Sequence, residues 1–147
     1  MAAPRNILAH SIQYHTLEET LDIKPRGKEL QIGIPKEKSF NENRIALTPE
    51  AVGVLVASGH SVTMESQAGL GANYSDKDFS EAGARIVFAP EKVFDCDIIV
   101  KSGPVSEEDC ELLKHGQYII SPINVAVMKR EVLERMMEKR ITALSFE

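Results

Sequence analysis

Two basic side chains, Arg44 and Lys101, are the residues of this sequence whose type and placement best suit the binding of a small anion. Arg44 follows the first predicted strand, and Lys101 ends the fourth. Open parallel sheets bind ligands beyond the carboxyl ends of their strands, where both residues are expected. A planar guanidinium group can donate two parallel hydrogen bonds to a carboxylate, and an ammonium group attracts it as a point charge. The pair therefore predicts a site for a small carboxylate. The pattern alone favours a structural alternative, in which Lys101 only extends to solvent and Arg44 caps a helix or pairs with Glu42.

Other groups give weaker chemical signals. Gly69 and Gly71 follow a strand and precede a helix, as a dinucleotide-binding loop does, but the third glycine is missing. A plain turn is the more common outcome of such a pair. His60 directly follows a glycine at a strand start, and His115 lies where a cation offsets a helix dipole, so both have structural explanations. No Ser-His-Asp or Cys-His arrangement is visible in the sequence.

Composition restricts the classes of protein that this chain could belong to. Its 147 residues are 43% hydrophobic and 27% charged, which is typical of one globular domain. The net charge of −5 creates no field that attracts nucleic acid or anionic lipid, and no apolar run is long enough to span a membrane. We therefore expect a cytoplasmic protein with no nucleic-acid or membrane partner. Cys96 and Cys110 lack the spacing of a metal or redox site, which predicts two free, buried thiols and no metal.

Strands and helices alternate from Leu30 onward, and this alternation predicts the architecture. The predicted strands cover residues 30–35, 61–65, 84–88, 97–101, 118–121 and 141–146. Such alternation predicts right-handed crossovers and a doubly wound parallel sheet with helices on both faces, of the flavodoxin or Rossmann type. Residues 1–29 are predicted to form an N-terminal extension with a short helix starting near Thr16, and residues 30–147 to form the domain.

The helices are predicted from their end signals. Starts are expected at Thr48, at Ser75, at Ser106 and, without a polar cap, at Pro90. The helix after Ser106 is expected to end at Lys114, His115 and Gly116, with cations in its last turn. A last helix over 128–139 is expected to bury Val132, Leu133, Met136 and Met137.

Several segments resemble the N-terminal domain shared by alanine dehydrogenases and by the soluble part of proton-translocating nicotinamide nucleotide transhydrogenase. The resemblance covers 32–147, nearly the whole chain outside the extension. The segments that carry it are 32–37 (IGIPKE), 44–49 (RIALTP), 59–62 (GHSV), 74–76 (YSD) with 82–84 (AGA), and 97–101 (DIIVK).

The resemblance implies a function for the two basic residues. In alanine dehydrogenases, the arginine of the Arg-x-Ala-x-Thr-Pro segment and the lysine that ends the Asp-x-x-x-Lys strand contact pyruvate or alanine. These positions are Arg44 and Lys101 here, so the resemblance reverses the preference for the structural alternative. It implies the substrate-binding domain of an oxidoreductase that converts L-alanine to pyruvate and ammonia and passes the hydride to NAD.

One position departs from the family pattern. The family has a histidine after the fifth strand, in a Tyr-Leu-His segment, that binds substrate and serves as acid or base. This sequence has Pro122, Ile123 and Asn124 there. Asn124 can hydrogen-bond a carbonyl group but cannot exchange a proton near neutral pH, so the candidate catalytic residues are Lys101, for the proton, and Asn124.

The resemblance also implies what else the activity requires. In the family, a Rossmann domain with the full glycine fingerprint follows this segment and binds most of the NAD. We therefore expect the 147 residues to be a truncated piece that neither binds NAD tightly nor turns over alone. Its expected partners are a small 2-oxo acid or amino acid and, in the full-length protein, further copies of itself.

Other functions stay open on the sequence. The soluble α-subunit domain of a transhydrogenase shares most of these motifs and does not need the family histidine. A dehydrogenase of the lysine or saccharopine branch is a further alternative. A non-catalytic binding or oligomerisation module, which uses the extension and exposed helix faces, is a third.

Overall fold

A computed structural model describes residues 28–39 and 41–146 and contains one parallel sheet of six strands. The strands are β1 (Gln31–Ile34), β2 (Ser61–Glu65), β3 (Arg85–Val87), β4 (Ile98–Val100), β5 (Tyr118–Ile120) and β6 (Thr142–Leu144). Their order in the sheet is β3-β2-β1-β4-β5-β6, and every neighbouring pair is parallel. The predicted doubly wound α/β architecture is confirmed. The predicted extension lies outside the described residues up to residue 27.

Five α-helices and one short 3₁₀ helix connect the strands within the described residues. The α-helices are α1 (Pro49–Ala57), α2 (Asp76–Glu81), α3 (Pro90–Val93), α4 (Glu107–Leu112) and α5 (Arg130–Glu138), and the 3₁₀ helix is Leu70–Ala72. Among these, no helix has the length and apolar character needed to cross a membrane.

The helix starts follow the local sequence signals. The Thr48 hydroxyl accepts a hydrogen bond from the Ala51 N–H, and Pro49 occupies the first position of α1. Ser75 begins α2 and Ser106 begins α4, each with a capping box in which the serine and the aspartate three residues later satisfy each other's N–H groups. All three predicted caps are confirmed, because a cap depends only on residues within one turn.

The end of α4 differs from the prediction. The helix ends at Leu112, before the cations that were expected in its last turn, and Lys114 instead pairs with Asp95. The carbonyl groups of Cys110 and Leu113 accept hydrogen bonds from the Lys139 ammonium, at 2.6 and 2.7 Å. A cation does stabilise this helix end, but it comes from just beyond α5 rather than from α4.

Two apolar clusters cover the two faces of the sheet. One packs α1 and α2 against β1, β2 and β3, with Val52 and Phe79 fully buried, and the other joins buried residues of α3, α4 and α5 with Ile99 of β4 and Ile119 of β5. Val132 and Met136 of α5 belong to the second cluster, as predicted. The burial predicted for Met137 is wrong: it is 68% exposed, since it lies one residue beyond Met136 and so points about 100° away around the helix.

Candidate functional site

The centre of the sheet contains the switch point of the topology. β1 and β4 are neighbours, with Ile32 paired to Ile98 and Gly33 to Ile99. The chain leaves β1 towards β2 on one side and leaves β4 towards β5 on the other. Diverging connections open a crevice at the carboxyl ends of such strands, where doubly wound proteins bind ligands. Both predicted anion-binding residues follow these two strands.

Lys101 follows β4 and lies buried in this crevice. Its backbone N–H continues the ladder by donating to the Ile120 carbonyl at 2.9 Å. Only 4% of its side chain is exposed, and its Nζ lies 3.2 Å from Glu37 Oε2 and 3.0 Å from Asp109 Oδ2. The expectation that Lys101 only extends to solvent is therefore wrong. The group of Lys101, Glu37 and Asp109, here called the lysine cluster, holds one cation and two carboxylates.

The two carboxylates of the lysine cluster have further roles in the fold. Glu37 follows β1, and its Oε1 accepts hydrogen bonds from the backbone N–H groups of Ser102, at 2.8 Å, and Gly103, at 3.1 Å. Asp109 closes the capping box of α4 by accepting from the Ser106 N–H at 2.8 Å. The lysine cluster therefore ties the end of β1, the end of β4 and the start of α4 together.

The sequence did not identify these two acidic residues as part of the site. Asp109 lies three residues after the predicted helix start at Ser106, where an acid completes the cap, and the structure adds its ion pair to that role. Glu37 follows a predicted strand, at the edge of the sheet where a polar residue can face a ligand crevice. This position is the feature of the sequence that could have identified Glu37 as part of the site.

Arg44 is held in a different way. Its side chain is 65% exposed, and its guanidinium forms a fork with Glu42, with Nε 2.9 Å from Oε1 and Nη2 2.7 Å from Oε2. The hydrogen bonds from Arg44 lower the pKa of Glu42 from 4.5 to about 2. The pairing with Glu42 that the structural alternative predicted is present. The Arg44 carbonyl also accepts a hydrogen bond from the Ser102 hydroxyl at 3.0 Å, which links the Arg44 loop to the end of β4.

Arg44 and Lys101 line two cavities in common. The larger cavity, of about 800 Å³, is also lined by Asp109 and Asn124. The apolar cavity, of about 580 Å³, lies against Val100 and other apolar side chains of the sheet. The structure therefore brings all three predicted site residues, Arg44, Lys101 and Asn124, to the wall of the larger cavity.

Asn124 shapes a turn at the edge of the larger cavity. It lies beyond the end of β5 and is exposed. Its Oδ1 accepts a hydrogen bond from the Ala126 N–H at 3.1 Å, and its carbonyl accepts from Val127 and Met128. The side-chain oxygen is thus used within the turn, while the amide nitrogen is the part of Asn124 that can donate to a ligand.

The paired glycines after β2 do not fit a dinucleotide. A Cβ at Gly69 would stand 2.6 Å from the Phe79 ring, and one at Gly71 would stand 2.9 Å from the Asn43 backbone. These glycines are therefore needed for contacts within the chain. The N–H groups at the start of α2, which would face a phosphate, are partly used by the capping box of Ser75. The interpretation of this segment as a plain turn agrees with these contacts.

Among the described residues, the histidine and cysteine side chains do not line this crevice. Leu30 N–H donates to His60 Nδ1 at 3.4 Å, which is a structural contact at the start of the sheet. Cys96 and Cys110 are free and buried, and burial raises the pKa of both thiols. In the described part of the chain, no group of three or more His, Cys, Asp and Glu side chains could hold a metal ion.

Comparison with known proteins identifies relatives of this chain. Alanine dehydrogenase of Staphylococcus haemolyticus (strain JCSC1435) is 34% identical over 118 residues, which are 80% of this chain and 31% of that protein. A solved L-alanine dehydrogenase has a TM-score of 0.77 at 33% identity, over 80% of this chain and 32% of its own. A solved transhydrogenase from Sinorhizobium meliloti has a TM-score of 0.71 at 28% identity, over 78% of this chain and 34% of its own.

The extent of these matches defines what is shared. The chain spans about a third of the length of the relatives it matches. Residues 33–147 match the family described as alanine dehydrogenase/PNT, N-terminal domain. This match covers both Arg44 and Lys101 together with every strand except the start of β1. The chain therefore belongs to the alanine dehydrogenase/PNT N-terminal domain family.

Proposed function

We propose that residues 30–147 form the substrate-binding domain of an NAD-dependent alanine dehydrogenase-like oxidoreductase, which converts L-alanine to pyruvate and ammonia. In this proposal Arg44 and Lys101 bind the carboxylate of the 2-oxo acid or amino acid. The observation that carries it is that both cations, from the loops after two neighbouring strands, line the same cavity at the switch point. The names of the relatives support alanine as the amino acid.

The two cations suit different parts of this task. Lys101 is buried and held by two carboxylates, so its ammonium is already in place before a ligand arrives. The Arg44 side chain is 65% exposed, whereas that of Glu42 is 11% exposed, so the guanidinium end of this pair faces solvent. A substrate carboxylate can reach the guanidinium from that side and replace Glu42 on the fork, because it is an anion of the same planar shape.

Asn124 and Lys101 are assigned the roles nearest the reacting carbon. The Asn124 amide can donate a hydrogen bond to the carbonyl oxygen of pyruvate, but it has no proton to exchange near neutral pH. Lys101 carries exchangeable protons, so it is the proposed source of any proton that this domain supplies.

NAD would accept the hydride from the α-carbon in this enzyme. Since the glycines after β2 pack against the chain itself, the described residues offer no phosphate cradle there. We assign NAD binding to the portion of the relatives beyond the third that this chain matches.

A second candidate is the soluble α-subunit domain of a proton-translocating transhydrogenase. Two observations favour it: the transhydrogenase structure matches with a TM-score of 0.71, and Asn124 lacks the proton-exchanging chemistry of a histidine. A transhydrogenase transfers hydride between nucleotides and needs no pyruvate site, so pyruvate binding separates the two candidates.

The proposal is tested by titrating the purified 147-residue chain with pyruvate and following its backbone amides by NMR. Saturable binding is expected, with shifts centred on Arg44, Lys101 and Asn124. Arg44→Ala should weaken it about tenfold or more, as the loss of one charge-assisted fork implies, and Lys101→Ala should abolish it.

The matched ligand control is pyruvamide, which has the same carbon skeleton without the negative charge. Pyruvamide should bind far more weakly than pyruvate. Equal binding of both ligands, or no saturable binding of pyruvate at all, would overturn the proposed carboxylate site. Since Lys101→Ala leaves two buried carboxylates and can unfold the chain, Arg44→Ala decides the result if that variant is unfolded.

A further inference from the structure

Glu37 bridges the two loops that carry the proposed site. Although it follows β1, its Oε1 accepts hydrogen bonds from the Ser102 N–H at 2.8 Å and the Gly103 N–H at 3.1 Å. Ser102 and Gly103 directly follow Lys101 in the chain. Two backbone donors on one oxygen fix the position and orientation of this carboxylate against the segment that carries Lys101.

The second oxygen of Glu37, Oε2, lacks a hydrogen-bond donor among the described residues. This oxygen is also buried. The Lys101 Nζ lies 3.2 Å from Glu37 Oε2, which is close enough for an ion pair. The two atoms are not aligned for a hydrogen bond. A buried carboxylate oxygen without a hydrogen bond is costly unless a charge compensates it. The Lys101 ammonium is the cation placed to do so.

Gly103 has no side chain, and the carboxylate of Glu37 occupies the space that a side chain would need. A Cβ on Gly103 would stand 2.8 Å from Glu37 Oε2, closer than real Cβ contacts come. Any side chain at this position would therefore press on the oxygen that faces Lys101. The absence of a side chain at Gly103 allows the carboxylate to lie against the backbone and reach the ammonium.

Lys101 is held from two sides. Glu37 approaches its ammonium from the loop after β1, and Asp109 approaches from the start of α4, at 3.0 Å. A lysine has a flexible four-carbon stem, so its ammonium follows whichever anion remains when one is removed. Without Glu37, the ammonium would therefore be drawn to Asp109 alone.

We propose that Glu37 is a positioning residue that holds the Lys101 ammonium at the wall of the larger cavity for a substrate carboxylate. This inference rests on the proposed function of Lys101 and extends it to a residue that does not itself touch substrate. Two carboxylates lie against this ammonium in the lysine cluster, Glu37 at 3.2 Å and Asp109 at 3.0 Å, and Lys101 also lines the larger cavity. Glu37 thus fixes the direction in which the ammonium can meet a further anion.

The test is Glu37→Gln in the 147-residue chain. The amide oxygen of glutamine can still accept the hydrogen bonds from Ser102 and Gly103, but its NH₂ group would face the Lys101 ammonium, donor against donor. We expect the side-chain NH₃⁺ signal of Lys101 in ¹H–¹⁵N NMR to shift or broaden and the Kd for pyruvate to rise about tenfold or more. The backbone amide signals of Ser102 and Gly103 should remain close to their original positions.

Glu81→Gln is the matched control. It removes the same charge from an exposed residue of α2 that pairs only loosely, at 3.6 Å, with Lys77. The Lys101 signal and the Kd for pyruvate should stay unchanged in this variant. Gly103→Ala is the second test variant, since it keeps every charge and presses on Glu37 Oε2, and it should reproduce the effects of Glu37→Gln even if that variant does not fold.

The outcomes separate this inference from the proposed function. If Arg44→Ala weakens pyruvate binding while Glu37→Gln and Gly103→Ala leave both the Lys101 signal and the Kd unchanged, the positioning role is wrong and the proposed function stands. If pyruvate fails to bind the unsubstituted chain, the proposed function is overturned. The Lys101 signal in the two variants then decides alone whether Glu37 positions the ammonium.

Discussion

The loop after β1 and the end of β4 each present one cation to the same cavity, but they hold it in opposite ways. Arg44 is 65% exposed and paired with Glu42, two residues away in the chain. Lys101 is 4% exposed and paired with Glu37 and Asp109, which come from separate elements. The exposed pair forms within one loop, whereas the buried cluster requires the tertiary fold. One cation is therefore adjustable and the other is fixed.

This difference has an energetic reason. Water reaches the Arg44 end of its pair, where the side chain is 65% exposed, and screens the charge there. The lysine cluster has lost most of its water, so each of its charges depends on the others for compensation. In the proposed carboxylate site, Lys101 therefore binds substrate from a fixed position, whereas Arg44 exchanges Glu42 for the substrate carboxylate.

The strongest test of this contrast is Lys101→Met, which keeps the apolar stem and removes the charge. Two carboxylates would then be buried without their cation, and we expect the free energy of unfolding to fall by roughly 3–5 kcal/mol. Urea denaturation followed by circular dichroism measures it. Arg44→Ala is the comparison and should cost less than about 1 kcal/mol. Similar losses in the two variants would contradict the assignment of a fixed and an exchangeable cation.

The contrast also explains which parts of the molecule the sequence could predict. Caps such as that of Ser75, and the Arg44 pair with Glu42, involve residues two or three apart, and local patterns indicated them correctly. The bond from Ser102 to Glu37 joins residues 65 apart, and no local pattern encodes that partner. The strand ends predicted that Arg44 and Lys101 meet at one edge, but only the fold shows which carboxylates hold Lys101.

The same reason accounts for the errors in the helices. The α4 carbonyl of Cys110 is capped by Lys139, 29 residues later, and a sequence pattern can propose only the nearby Lys114. Met137 is apolar and adjoins Met136, yet it is 68% exposed. Burial at the edge of a helix's apolar stripe depends on what packs there, which is a tertiary property.

A smaller effect is expected from Asp109→Asn, which removes one of the two anions from Lys101. The asparagine oxygen can still accept the Ser106 N–H, so the cap of α4 is kept. Because Lys101 retains Glu37, we expect a loss of about 1.5–3 kcal/mol, typical of one hydrogen-bonded charged contact. Urea denaturation gives this value. Glu107→Gln changes an exposed acid in the same helical turn and should move the unfolding midpoint far less.

The smallest effect concerns the charge state of Glu42, and it tests directly whether Arg44 is exchangeable. Because hydrogen bonds from Arg44 lower the pKa of Glu42 from 4.5 to about 2, the pair contributes its full stability above pH 4.5 and loses it as the pH falls towards 2. Solvent screening keeps this contribution small. A carboxyl ¹³C titration from pH 6 downward should show Glu42 ionised well below pH 4.5, and Arg44→Ala should raise its midpoint part of the way towards 4.5, because the backbone N–H of residue 44 still donates to Glu42.

The same titration of Glu42 in the presence of saturating pyruvate tests whether Arg44 changes its partner. If the substrate carboxylate takes the place of Glu42 on the guanidinium, Glu42 loses its two guanidinium hydrogen bonds but keeps the one from the Arg44 backbone N–H, so its pKa rises part of the way towards the usual value. If pyruvate binds while the Glu42 midpoint stays low, Arg44 keeps its partner and is not exchangeable, and Lys101 would have to bind the substrate carboxylate without the Arg44 fork. A midpoint that does not rise at all in Arg44→Ala would show that the guanidinium is not what lowers the pKa of Glu42.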